Sequence, residues 1–218
     1  SHALTQTLEP FLTPEQVDAA MDAAVHMDRY LTEAIAAKRQ NPAADLLTDL
    51  VQVEEEGDRM TEAELLSMTS LLFVAGHETT VNLIGNGTHA LLGHPDQMDL
   101  VRTDESVDAT VADELLRYDS PVQTSGRRVM HDVEVSGVEV AAGEMVLTAL
   151  GSANRDPRFW GATADDLDVT RPEANRHLSF GSGVHHCLGA ALARMEGEIA
   201  ITRLVRRFPD LSLAGQPT

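Results

Sequence analysis

The sequence predicts a mainly α fold with a small β element. Three observations carry that expectation. Two stretches open on capping boxes, Thr13-Pro14-Glu15-Gln16 and Thr61-Glu62-Ala63-Glu64, in which a Thr and a Gln or Glu three residues later satisfy each other's end of the backbone. One short segment, 133–140, alternates with period two about a Ser136-Gly137 turn, which reads as a hairpin. Residues 151–186 are rich in Gly, Pro, Asn and Asp and read as loop.

Taken in order, the first helix runs from Pro14 to about Lys38 and is broken at Asn41-Pro42. A short helix follows around 44–53, then an acidic stretch, 54–58. The second capping box opens a long helix whose stretch 65–75 is apolar on nearly every face. Such a helix is expected to be buried on all sides, at the centre of the fold. Gly93-His94-Pro95 ends it, and helices are predicted over 95–102 and 107–118, closed by Pro121. Residues 145–147 could add a strand. A last helix runs from about Leu188 to Phe208 and stops at Pro209. There is no internal repeat and no clear linker, so residues 1–218 are expected to form a single domain.

Composition sets the class. With 218 residues, 43% apolar and 23% charged, the chain resembles ordinary globular proteins and can bury a core. A net charge of −19 argues against nucleic-acid binding and against docking on anionic membrane. No apolar run reaches bilayer length and the first residues lack a signal-peptide pattern, so a cytoplasmic setting is expected. The single cysteine allows no internal disulfide framework. Charge is uneven: residues 171–207 hold six arginines against three glutamates, a local balance of +3. That stretch is either a docking surface for an acidic partner or a solvated helix end with Arg near its C-terminus.

The strongest chemical signal surrounds the cysteine, in Phe180-Gly181-Ser182-Gly183-Val184-His185-His186-Cys187-Leu188-Gly189. Glycines let the backbone approach a flat ligand closely. The cysteine stands where this loop turns into a helix, and N–H groups at a helix start favour a thiolate. Such a thiolate can ligate iron from one side; a buried, inert cysteine is the competing reading. A second signal is Ala75-Gly76-His77-Glu78-Thr79-Thr80. On a helix Ala75, Gly76 and Thr79 share a face, so two small residues leave room beside a hydroxyl with an acid next to it. A kinked core helix explains the same residues. Zinc is excluded at His77-Glu78, because the second histidine of His-Glu-x-x-His is Val81 here. Glu114 and Arg117 lie three apart on one helical face, a spacing common on surfaces. Gly85-x-Gly87-x-x-Ala90 imitates a dinucleotide fingerprint, but it continues a helix where that motif needs a strand before it.

Together these motifs resemble the cytochrome P-450 family. The cysteine segment matches its haem-ligand signature, Phe-x-x-Gly-x-x-x-Cys-x-Gly, and Ala75–Thr79 matches its oxygen-binding helix. The resemblance implies a partial P-450 fold: a central oxygen-binding helix, a clamp helix, a β-hairpin, a haem-thiolate loop and the helix after it. It implies haem b as cofactor, with Cys187 as the iron ligand and Phe180, Gly181, Leu188 and Gly189 around it. Ala75 and Gly76 would make room for the ring. His185 and Arg127 would meet the haem propionates, with Arg128 a neighbouring alternative. Thr79 and Glu78 would be catalytic, relaying protons to bound O2. Glu114, Arg117 and Arg171 would form a buried structural clamp. The implied activity inserts one oxygen atom of O2 into a C–H bond of a small organic substrate, with electrons from a ferredoxin and its reductase. Leu72, Val122 and Thr124 would give the substrate an apolar wall.

Family members are about twice this long. The lid half and the last strands are expected to be missing, and the chain alone is expected to hold haem weakly or to use a second chain to complete the pocket. Two other classes remain at this point: a non-catalytic P-450-like partner or scaffold, and a haem-binding piece, sensor or carrier, without turnover.

Overall fold

The computed structural model describes Leu4, residues 12–52 and residues 60–215. The acidic stretch 54–58 lies outside them. The described residues fall into two compact units that divide between Glu78 and Thr79.

The first unit contains helix α1 (Pro14–Gln40), helix α2 (Leu46–Gln52) and the start of helix α3 (Glu62–Gly93). Thr13 caps α1 with both halves of a capping box: Gln16 N–H donates to Thr13 Oγ1, and Thr13 N–H donates to Gln16 Oε1 at 2.8 Å. Thr61 and Glu64 exchange the same pair of bonds at the start of α3. Asp45 accepts from the Thr48 N–H and pairs with Lys38. It therefore acts as the cap that starts α2 at Leu46 rather than at position 44.

Along α3 the expectation of burial on all sides fails. Between 65 and 75 only Leu65 is buried, whereas Leu71 is 61% and Phe73 is 48% exposed. An apolar circumference is buried only when neighbours stand on every side of it. The described residues cover only part of this one.

The second unit contains the rest of α3, helix α4 (Pro95–Thr103), a 3₁₀ turn (Glu105–Val107) and helix α5 (Asp108–Tyr118). Two antiparallel ribbons follow. Strand β1 (Thr124–Arg128) pairs with β4 (Met145–Ala149), and β2 (Val133–Val135) pairs with β3 (Val138–Val140). The hairpin turn places Ser136 at φ 52° and Gly137 at φ 83°, both left-handed, as a two-residue turn between twisted strands requires. Strand β1 was not expected: Thr-Ser-Gly-Arg-Arg has no apolar alternation, and all of it except half-buried Ser125 is exposed.

The segment read as loop contains short helices α6 (Leu150–Ala153) and α7 (Pro157–Trp160) and several 3₁₀ turns. Helix α8 (Ala190–Arg207) ends the unit, beginning two residues later than expected. Its core joins Leu83, Leu91, Val101, Val111, Leu115, Val169, Ile201 and Val205. Gly87 and Gly197 let α3, α5 and α8 meet closely. A Cβ at Gly87 would stand 3.0 Å from Leu115, and one at Gly197 would stand 2.7 Å from Leu83. This packing gives the false dinucleotide fingerprint its physical meaning: its second glycine is a helix contact.

Candidate functional site

Helix α5 is buried from Val111 to Arg117, so its polar residues must find partners inside the protein. Arg117 is fully buried and straddles the Glu114 carboxylate, with Nε and Nη2 at 2.7 and 2.8 Å from its two oxygens. Its remaining N–H groups donate to the carbonyls of Asn154, Ala164 and Asp166 at 2.7–2.9 Å. Glu114 also accepts from the Asp168 N–H at 2.9 Å and from Arg171 Nε at 3.2 Å. Arg171 in turn donates to the Thr163 carbonyl at 2.9 Å. Two cations and one anion thereby fasten the 154–171 segment to α5.

The segment before the cysteine is fastened to the same helix by residues that the sequence reading did not single out. Asn154, fully buried, accepts from the Leu178 N–H at 2.7 Å and donates to Ser179 Oγ at 2.8 Å. Ser179 Oγ donates to the Leu116 carbonyl at 2.8 Å. His177 Nδ1 accepts from the Ser179 N–H at 3.0 Å. That assigns the ring proton to Nε2, which faces Asp113 Oδ1 at 3.0 Å. Asp113 also accepts from Arg194 Nε at 2.7 Å. Burial pushes the Asp113 carboxyl up, but the bonds from His177 and Arg194 outweigh it and leave the group below its ordinary value. The available sequence signal was adjacency: Asp113 precedes Glu114, and His177-Leu178-Ser179 precedes Phe180. It is weak without the fold.

The cysteine loop has the opposite character. Gly181 and Gly183 take φ of 69° and 74°, left-handed values that side chains resist. The Cys187 N–H donates to the Phe180 carbonyl at 2.9 Å, which draws the loop into a closed ring. Its thiol is exposed. Val184 is 97% and Leu188 is 80% exposed beside it, and a side chain at Gly189 would begin 4.0 Å from the sulfur. Among the described residues, no three His, Cys, Asp or Glu side chains gather as a metal site. A flat, apolar macrocycle carrying a soft-accepting metal fits a lone thiol rimmed by apolar side chains.

His185 is exposed at the end of the 3₁₀ turn Gly183–His185. Arg127 is exposed on β1, where its Nη1 donates to Ser125 Oγ at 2.6 Å; Arg128 is exposed as well. On α3, Thr79 is half-buried in the second unit. Ala75, Gly76 and Glu78 lie on the same helix within the first unit, the first two exposed and Glu78 half-buried. Leu72 and Val122 are half-buried, and Thr124 is exposed.

Half of the arginines in the basic stretch pair with acids. Arg171 is consumed by the clamp, Arg194 by Asp113, and Arg206 by Asp108 at 2.5 Å. Arg176, Arg203 and Arg207 remain exposed. No helix among the described residues is long and apolar enough to cross a membrane.

Comparison with known proteins gives a consistent result. The family model described as Cytochrome P450 matches residues 6–110 and 106–214. Cytochrome P450 107B1 of Saccharopolyspora erythraea is 50% identical over 204 residues, covering 93% of this chain and 50% of that protein. Vitamin D(3) 25-hydroxylase of Pseudonocardia autotrophica is 50% identical over 187 residues, 85% of this chain and 46% of that protein. Among solved structures, ligand-free CYP164A2 of Mycobacterium smegmatis superposes with a TM-score of 0.91 at 41% identity, covering 99% of this chain and 56% of that one. P450BioI, solved with an acyl carrier protein bearing hexadec-9Z-enoic acid, gives 0.90 at 40% identity over 98% of this chain and 55% of that one. The chain thus spans about half the length of the curated relatives it matches.

Proposed function

Because this chain belongs to the cytochrome P450 family, whose members bind haem b, we propose that it is the thiolate-bearing portion of a haem monooxygenase. The reaction inserts one oxygen atom of O2 into a C–H bond of a small organic substrate. The observation that carries this reading is the exposed Cys187 thiol on a glycine-shaped loop rimmed by Val184 and Leu188. Haem, when bound, supplies oxygen activation and oxidising power; the protein supplies ligation, orientation and exclusion of water.

In this reading Cys187 holds the iron as a thiolate. Phe180, Gly181, Leu188 and Gly189 form the surface against which the ring lies. His185 and Arg127 each give a cation or donor to a propionate. Ala75 and Gly76 keep their stretch of α3 free of bulk, and the Thr79 hydroxyl and the Glu78 carboxyl group would relay protons taken up from solvent toward oxygen. Glu114, Arg117 and Arg171 touch no reacting atom and hold the scaffold. Electrons come from a ferredoxin and its reductase. Arg203 and Arg207 are exposed cations at the end of α8, suited to an acidic donor.

A second reading is favoured by the same exposure of Val184 and Leu188: a haem-binding piece that turns over only with a further chain covering the ring. Haem titration of the chain tests the proposal. Stoichiometric uptake with a thiolate-type spectrum, lost in Cys187→Ala, supports it. An unchanged spectrum in Cys187→Ala overturns it. Loss of haem to a competing apoprotein, prevented when a longer chain is used, selects the second reading.

A further inference from the structure

We propose that Asp113, His177 and Arg194 form a positioning brace that fixes Phe180 and, through its carbonyl, the backbone of Cys187. The proposal rests on the reading above only for what the sulfur does; the brace itself is a property of the cofactor-free chain.

The brace closes on itself. His177 is buried, with its tautomer set by the Ser179 N–H, so Nε2–H is directed to Asp113 at 3.0 Å. Asp113 holds Arg194 through Nε at 2.7 Å. The Arg194 guanidinium then lies 4.7 Å from the centre of the Phe180 ring. His177 touches the same ring from another side, with centroids 5.3 Å apart. Phe180 is therefore gripped by a cation on one contact and an imidazole on the other. Its carbonyl is the acceptor for the Cys187 N–H at 2.9 Å.

The parts come from three separated places: α5, the 177–180 segment and α8. None of the three side chains serves the Glu114–Arg117–Arg171 clamp. A buried carboxylate with two donors is costly to assemble unless both stay in place. Here the second donor is a half-exposed arginine whose planar face is used for stacking. Lysine could replace its charge but not that face.

Hydrogen exchange of the Cys187 amide in the cofactor-free 218-residue chain tests the brace, with the α8 amides of Ile201 and Val205 as internal controls. Arg194→Gln is expected to speed Cys187 exchange about tenfold while the controls hold, and Arg194→Lys to recover only part of the protection. His177→Leu is expected to act like Arg194→Gln, and His177→Gln, which keeps a donor for Asp113, to restore protection. Parental Cys187 exchange in Arg194→Gln overturns the proposal whatever the His177 variants do. An equal rise at the α8 controls overturns it too, since that reports loss of the fold. A parent chain that takes up no haem overturns the proposed function and leaves the brace standing.

Discussion

The clamp and the cysteine loop sit on the same unit and are built to opposite rules. Around Arg117 the donors meet carbonyls or a carboxylate at 2.7–2.9 Å, and the side chain has no exposure. From Ser182 to Gly189 every residue is exposed, and the apolar ones face outward. The difference separates support from function. Support must be finished inside the protein, because an unpaired buried charge is costly. A surface proposed to take a ligand, as this loop is, keeps its apolar side chains uncovered for it. Between the two lies a layer that is polar and mostly buried, Asn154, Ser179, His177 and Asp113, which carries the rigidity of one to the exposure of the other.

The contrast is broken most severely at the clamp. Arg117→Ala strands Glu114 inside and is expected to cost about 3–5 kcal/mol, measured by denaturant unfolding, or to prevent folding. Asn154→Ala removes two bonds to the cysteine segment and is expected to cost about 2 kcal/mol, with proteolysis near 178–187 rising before any loss of helical signal. Asp113 gives a smaller, pH-dependent effect. Its carboxyl is held below its ordinary value, so its bonds stabilise the fold above about pH 4 and that contribution is lost as pH falls below. Asp113→Asn is expected to flatten the acid limb of a stability–pH curve. At the loop, Cys187→Ala and Val184→Ser are expected to shift cofactor-free stability by under about 0.5 kcal/mol. A large loss there would mean the loop is support after all.

Much of this division was legible in the residues. The capping boxes at Thr13 and Thr61 and the hairpin turn at Ser136-Gly137 are local signals, and the structure contains all three. The glycine loop around Cys187 was equally local. What escaped was non-local. Strand β1 forms only because β4 lies beside it, and its own residues carry no period. The connecting layer joins residues 24 to 81 positions apart, and no single segment announces such pairings. The apolar stretch 65–75 was read as buried because periodicity reports what a helix could bury. How much is buried depends on the neighbours present. The arginine-rich segment shows a related limit: a charge count does not show that Arg171, Arg194 and Arg206 each hold an acid.

The absorption spectrum of the reduced, carbon monoxide-bound, haem-loaded chain tests the central claim most directly. Iron held by the Cys187 thiolate predicts a Soret band at the long wavelength peculiar to thiolate ligation, absent in Cys187→Ala. A band at the ordinary position of imidazole-ligated haem, the same in both proteins, would contradict it.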